Sequence, residues 1–208
     1  MRLIVATNNA HKLEEFATIF TEHAILSPAS FGLQFTHDET GATFAENSLG
    51  KAISLYRLLQ QAGKIDDNLV VIADDSGLCV DALGGRPGLH SARYGAVEGA
   101  PALSDSQRNE LLLQEMAGKP TRTAHFVCCM VALYAPNRFD CIQETWEGEI
   151  SAAASNSIAG FGYDPVMYIP ALGKTVAQLA PEDKARLSHR GKACSRLKIL
   201  LDRSTSSC

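Results

Sequence analysis

The chain lacks the features that would commit it to a membrane, a secretory route or a nucleic-acid polymer. No apolar run approaches the roughly 20 residues that cross a bilayer. The opening stretch MRLIVATNNAHKLEEF turns polar too soon for a signal peptide, so a cytoplasmic location without a membrane partner is expected. Basic residues are not in excess: 19 Lys and Arg stand against 23 Asp and Glu, a formal charge of −4. Binding to a nucleic-acid polymer draws most of its affinity from many Lys and Arg contacts to phosphate, so this balance argues against such a partner. A small anionic ligand needs only a local cluster of basic groups or a metal ion. The six cysteines show no CxxC spacing, and the neighbours Cys128 and Cys129 would point to opposite faces of a strand, which predicts reduced structural thiols. There is no GxxxxGK[ST] phosphate loop, no internal repeat and no linker.

What is present is a chain of 208 residues with 46% hydrophobic content, enough for one generous domain with a substantial core. Residues 1–203 read as one domain, or one domain with a small lobe, and 204–208 as a frayed tail. RLIVAT reads as a buried strand, and HKLEEFATIFTEH carries Leu13, Phe16, Ala17 and Phe20 at helical spacing. ILSPASFGLQF gives a turn and a short strand. Thr43 and Glu46 fit a capping box that opens a helix running to Gly63, with Phe44, Leu55, Leu58 and Leu59 on its apolar side. NLVVIADDSGL is a strand that ends at two acids, and SDSQRNELLLQEMAG is a capped helix closed by Gly118. TAHFVCCMVALY and FDCIQETWEGEIS flank APNR as a hairpin, and closing helices follow. The alternation predicts an α/β fold around a central mixed β-sheet flanked by helices.

Ligands of open α/β sheets bind beyond the carboxyl ends of strands, where ATNNAHK and ADDSG are expected to fall. The first loop leads into a helix whose amides can receive an anion, with Lys12 adding a full charge. Of Asp74 and Asp75, alternation lets only one point into a given cleft, the other holding a loop amide or facing water. A hard cation such as Mg²⁺ takes one or two carboxylates plus water and phosphate, so a second acid would complete a site, and Glu39 and Glu46 are the candidates. Asn47 and Lys51, four apart on a helix, share one face and suit either a surface pair or a phosphate site. LSHRGKA puts His189 and Arg190 in a helix's first turn behind Ser188, where the dipole disfavours cations unless something answers their charge. GFGYDP is a tight loop able either to stack a ring or to line the core.

Five stretches in register carry a resemblance over nearly the whole chain: TNNAHK, ETGATFAENSLGKA, ADDSGLCVDALGGRPGLHSARY, GFGYDP and SHRGKA. Together they resemble the inosine triphosphate pyrophosphatase family. The resemblance implies two lobes around a substrate cleft, a homodimer, and Mg²⁺-dependent hydrolysis of nonstandard purine nucleoside triphosphates (dITP, ITP, XTP) to the monophosphate and pyrophosphate. It implies Asp75 as proton acceptor and metal-linked carboxylate with Glu39 beside it, and Ser76 touching the substrate. Thr7, Asn8, Asn9, Ala10, His11, Lys12 and Lys51 would hold the phosphates. Phe161, Gly162, Tyr163, Asp164, Lys184, His189 and Arg190 would surround the nucleoside, the ring packing on the base and the His-Arg pair reading its edge. Arg86, Leu89, His90 and Ser48 depart from the common pattern and touch no implied role. The alternatives are a pyrophosphatase for other modified nucleotides and a nucleotide-binding module without turnover.

Overall fold

The computed structural model describes residues 1–157 and 160–205. In chain order the elements are β1 Arg2–Val5, α1 Ala10–Ile19, β2 Ala24–Leu26, α2 Phe44–Gln61, β3 Leu69–Val80, α3 Asp105–Glu115, β4 Thr123–Ala135, β5 Arg138–Ile150, β6 Met167–Ile169, β7 Lys174–Thr175, α4 Pro181–Leu187 and α5 His189–Thr205. Of the tail expected at 204–208, residues 206–208 lie outside the described residues. The seven strands form one open sheet in the order β2-β1-β3-β4-β5-β6-β7. β1 runs parallel to β2 and β3, while β6 runs antiparallel to β5 and β7, so the sheet is mixed.

The chain divides into two compact units, one of residues 1–75, 128–144 and the last helix from His189, the other of Ser76–Val127 and Thr145–Ser188. In the first unit the period of two in the strands sorts the core. Leu3, Val5, Val70, Ile72, Cys128 and Met130 pack on Phe16 of α1 and on Ala193, Cys194 and Leu197 of α5. Ile4, Val71, Ala73, Val131 and Leu133 turn the other way, onto Ala52, Leu55 and Leu59 of α2. In the second unit Leu78, Val80, Phe126, Trp146 and Ile150 enclose Leu112 of α3 and Met116 just after it.

The strand that was to end at the acids does not. β3 continues five residues beyond Asp75 to Val80, so the acidic pair lies within a strand. Thr43 caps α2 as expected, its hydroxyl accepting from the Glu46 amide at 3.1 Å, but the Glu46 carboxylate accepts from the Ala42 amide at 2.6 Å. Ala17 is exposed, leaving Leu13, Phe16 and Phe20 to carry the apolar stripe of the α1 segment. The predicted hairpin is β4 and β5, adjacent in the sheet and joined by Pro136 and Asn137.

Candidate active site

Alternation along β3 decides the surroundings of both acids. Asp74 follows Val70 and Ile72 onto the face of α1 and α5, and Asp75 follows Val71 and Ala73 onto the face of α2. Asp74 is 2% exposed, so it does not face water; it receives Lys12 Nζ at 2.9 Å and Arg190 Nη2 at 3.2 Å. Arg190 also pairs with Glu15 of α1. Burial alone would lower the pKa of the guanidinium, but Asp74 and Glu15 outweigh it and hold the charge in place. The cation in the first turn of α5 is thus answered by two carboxylates. His189 beside it is buried as well.

Asp75, 6% exposed, accepts from Asn47 Nδ2 at 3.0 Å and from Lys51 Nζ at 3.3 Å. Lys51 also donates to Glu39 Oε1 at 2.8 Å, so one ammonium serves two carboxylates. Burial pushes the Asp75 carboxyl above its ordinary value and Glu39 adds to the rise, while Lys51, Asn47 and Lys12 oppose it without cancelling it. For Lys51 itself, burial lowers the pKa, but Asp74, Asp75 and Glu39 together leave it raised. Asn47 spans both sides of the site: its Oδ1 accepts the Gly41 amide at 2.7 Å. A Cβ on Gly41 would stand 2.7 Å from that same oxygen, so the close approach requires glycine. Ser48, buried beside Asn47, donates to the Ala73 carbonyl at 2.9 Å and ties α2 to β3 one residue before the acids.

The loop before α1 is knit to itself. The Asn9 side chain caps the helix, accepting from the amides of His11 at 3.0 Å and Lys12 at 3.4 Å, which are the donors expected to receive an anion. Thr7 Oγ1 accepts from the Asn9 amide, and Asn8 donates to the Phe35 carbonyl. Ala10 opens α1, and His11 is exposed beside Glu14.

The remaining sequence candidates lie in the second unit. Ser76 is half-buried in β3. Lys184 of α4 donates to Asp164 at 2.8 Å and rests its ammonium 4.3 Å from the centroid of the Phe161 ring. The Phe161 amide donates to Asp164 Oδ2 at 3.0 Å, closing the loop on itself. Gly160 has φ +85°, and a Cβ there would meet Asp164 Oδ2 at 2.6 Å. Tyr163 is a core residue, 5% exposed, and its hydroxyl donates to the Ser91 carbonyl at 2.9 Å.

The structure thus brings together Lys12 with Arg190 on Asp74, Lys51 with Glu39 and Asp75, and Phe161 with Asp164 and Lys184. Glu46, the other acid considered for a metal, is exposed and bonded to a backbone amide. Sequence reasoning missed Glu15, and Asn47 was left between surface and site. Their only signal was position: Glu15 lies three residues after Lys12, Asn47 four before Lys51. Among the described residues no three of His, Cys, Asp and Glu gather into a group able to hold an ion unaided. The pair present, Glu39 and Asp75, offers oxygen donors of the kind a hard cation uses when water and phosphate fill its other positions, so the donor set fits such an ion.

The model of the Ham1 family matches residues 3–200. A dITP/XTP pyrophosphatase of Treponema denticola is 44% identical over 93% of this chain and 94% of its own. One from Geobacillus kaustophilus is 42% identical over 94% of the chain and 91% of its own. Among solved structures, the Ham1 protein of Staphylococcus aureus superposes with a TM-score of 0.82 at 35% identity, covering 98% of this chain and 100% of that one. A HAM1 protein of Coxiella burnetii gives 0.82 at 32% identity over 98% and 99%.

Proposed function

The chain belongs to the Ham1 family, and from that premise we propose that it hydrolyses nonstandard purine nucleoside triphosphates, such as dITP, ITP and XTP, to the monophosphate and pyrophosphate, clearing them from the nucleotide pool. The observation that carries the reading is the state of Asp75: a buried carboxylate with a raised pKa, braced by an amide on one side and an ammonium on the other. A carboxylate moved toward the working pH is suited to take a proton from water, help typically worth about 10² to 10⁴ in rate.

In this reading Asp75 orients and deprotonates the attacking water. Lys12, Lys51 and the loop of Thr7, Asn8, Asn9, Ala10 and His11 hold the phosphates, and the lysines stabilise the departing pyrophosphate. Ser76 contacts the substrate. A divalent cation, Mg²⁺ by resemblance, held by Asp75 and Glu39, would supply positive charge to the phosphate oxygens. Phe161 stacks on the base, in a loop shaped by Gly162, Tyr163, Asp164 and Lys184. His189 and Arg190 read the base's edge, where hypoxanthine and xanthine present a 6-oxo acceptor and adenine an amino donor. A donor aimed at that oxygen is left unpaired by ATP, and such sites discriminate by orders of magnitude. Residues 1–203 act as one catalytic domain, in a cytoplasmic homodimer.

The test is pyrophosphate release by the full chain from dITP, ITP, XTP, dATP, dGTP and a set of modified pyrimidine triphosphates, with Mg²⁺ and with a chelator. Release from the first three that stops on chelation is the expected result. Equal turnover of dATP, preference for the modified pyrimidines, or binding of dITP without release overturns it.

A further inference from the structure

The loop that carries Phe161 is gripped from outside by a helix to which the sequence assigned no part in the site. Asp105 and Asn109 lie four apart on α3 and so share one face. Asp105 Oδ2 accepts the Gly162 amide at 2.5 Å, and Asn109 Nδ2 donates to the Gly162 carbonyl at 3.0 Å. Both polar atoms of one glycine's backbone, next in sequence to Phe161, are therefore held by two side chains of one helix. Gly162 has φ +61°, a conformation that the two bonds keep in place.

The arrangement is more than ordinary packing requires. Asn109 is 4% exposed, and its Oδ1 has no hydrogen-bond partner among the described residues. A buried acceptor left unmet costs stability, and an apolar side chain on this buried face of α3 would avoid that cost. The amide earns its position through the one bond to Gly162. Asp105 is tied in turn to Arg108, which fixes the carboxylate that receives the Gly162 amide. Elsewhere in the loop the Tyr163 hydroxyl donates to the Ser91 carbonyl, and Asp164 accepts from the Phe161 amide.

We infer that Asp105 and Asn109 are positioning residues for base recognition: together they clamp the Gly162 backbone and so fix the plane in which Phe161 presents its ring to a purine. This rests on the proposed function for the identity of the ligand, whereas the clamp itself is a property of the loop. Loss of either bond loosens the ring and weakens the hold on the base, while the groups that act on the triphosphate are left as they are.

Asp105→Ala, Asp105→Asn and Asn109→Ala are compared with wild type in the full chain. Asp105→Ala and Asn109→Ala are each expected to raise KM for dITP about fivefold, the factor one lost hydrogen bond of ordinary strength carries, with kcat little changed. Asp105→Asn, which keeps an acceptor for the Gly162 amide, restores KM. Inhibition by inorganic pyrophosphate, which has no base, stays at its wild-type level, and in a Phe161→Ala background the clamp substitutions add little. A parallel fall in kcat, a matching loss of pyrophosphate inhibition, or an undiminished rise in KM without the Phe161 ring overturns the inference. If Asp105→Ala does not fold, Asn109→Ala and Asp105→Asn decide the matter. Amide exchange tests the grip without any nucleotide: the Gly162 amide is protected in wild type and in Asp105→Asn and exposed to exchange in Asp105→Ala. A rapidly exchanging Gly162 amide in wild type sinks the clamp, while a wild type that releases no pyrophosphate from dITP sinks the functional reading instead.

Discussion

Asp75→Asn removes a charge and keeps the shape of the side chain, and it tests both turnover and the pH dependence of stability. Because the folded protein raises the Asp75 pKa, the fold favours the protonated form. That contribution to stability is present below the unfolded value and is lost as pH rises through the folded one, so at neutral pH the ionised group is a net cost. The Asn variant should therefore lose this pH dependence of its melting temperature, along with about 10² or more of its turnover. In wild type the acid limb of the kcat/KM profile should lie above the ordinary carboxyl value of about 4. An unchanged pH dependence of melting, or activity within a few fold of wild type, counts against the assignment. Asp74→Ala should behave otherwise. It strips a shared counter-ion from Lys12 and from Arg190, which is only 4% exposed. The expected loss in urea unfolding at pH 7 is about 3 kcal/mol, the lower end for a broken buried pair because Glu15 stays.

Helix α2 is the element on which Asp75 depends, and its first turn is the point to test. Gly41→Ala would set a methyl 2.7 Å from Asn47 Oδ1 and 2.8 Å from Glu46 Cβ, forcing apart the contacts that seat Asn47 on Asp75. A destabilisation of about 1–3 kcal/mol is expected, together with reduced turnover, and thermal melts and dITP kinetics on one preparation check both. Much of this architecture was legible in the sequence. Helical spacing of apolar residues placed α1, cap residues and terminal glycines placed α2 and α3, strand-like runs placed β1, β4 and β5, and five motifs in register pointed to a family that the comparisons bear out. Illegible were the partnerships of polar groups far apart in the chain. Asn47, Ser48 and Lys51 interrupt the apolar stripe of α2, a pattern that local reasoning sends toward solvent, yet all three are buried against β3. The Ser76–Gly77 step has the composition of a turn, which hid the continuation of β3; its neighbour β4, 13 residues long, offers a ladder that overrides the local preference.

For the molecule as a whole, cations near the candidate site residues are already matched: Lys12, Lys51, Lys184 and Arg190 all have carboxylate partners. With a formal charge of −4 they do not amount to a stripe that a polymer could follow. Excess duplex DNA at about 0.15 M salt should therefore leave dITP hydrolysis unaltered, and strong competition by DNA in that assay would contradict this reading. Two consecutive acids on one strand look redundant, yet the backbone's period of two hands them to different helices. Under the proposed role of Asp75, substitutions in α2 would retune the pH range of the reaction without removing the α1 and α5 side chains that hold Asp74, although each charge is still felt on the other face of the strand.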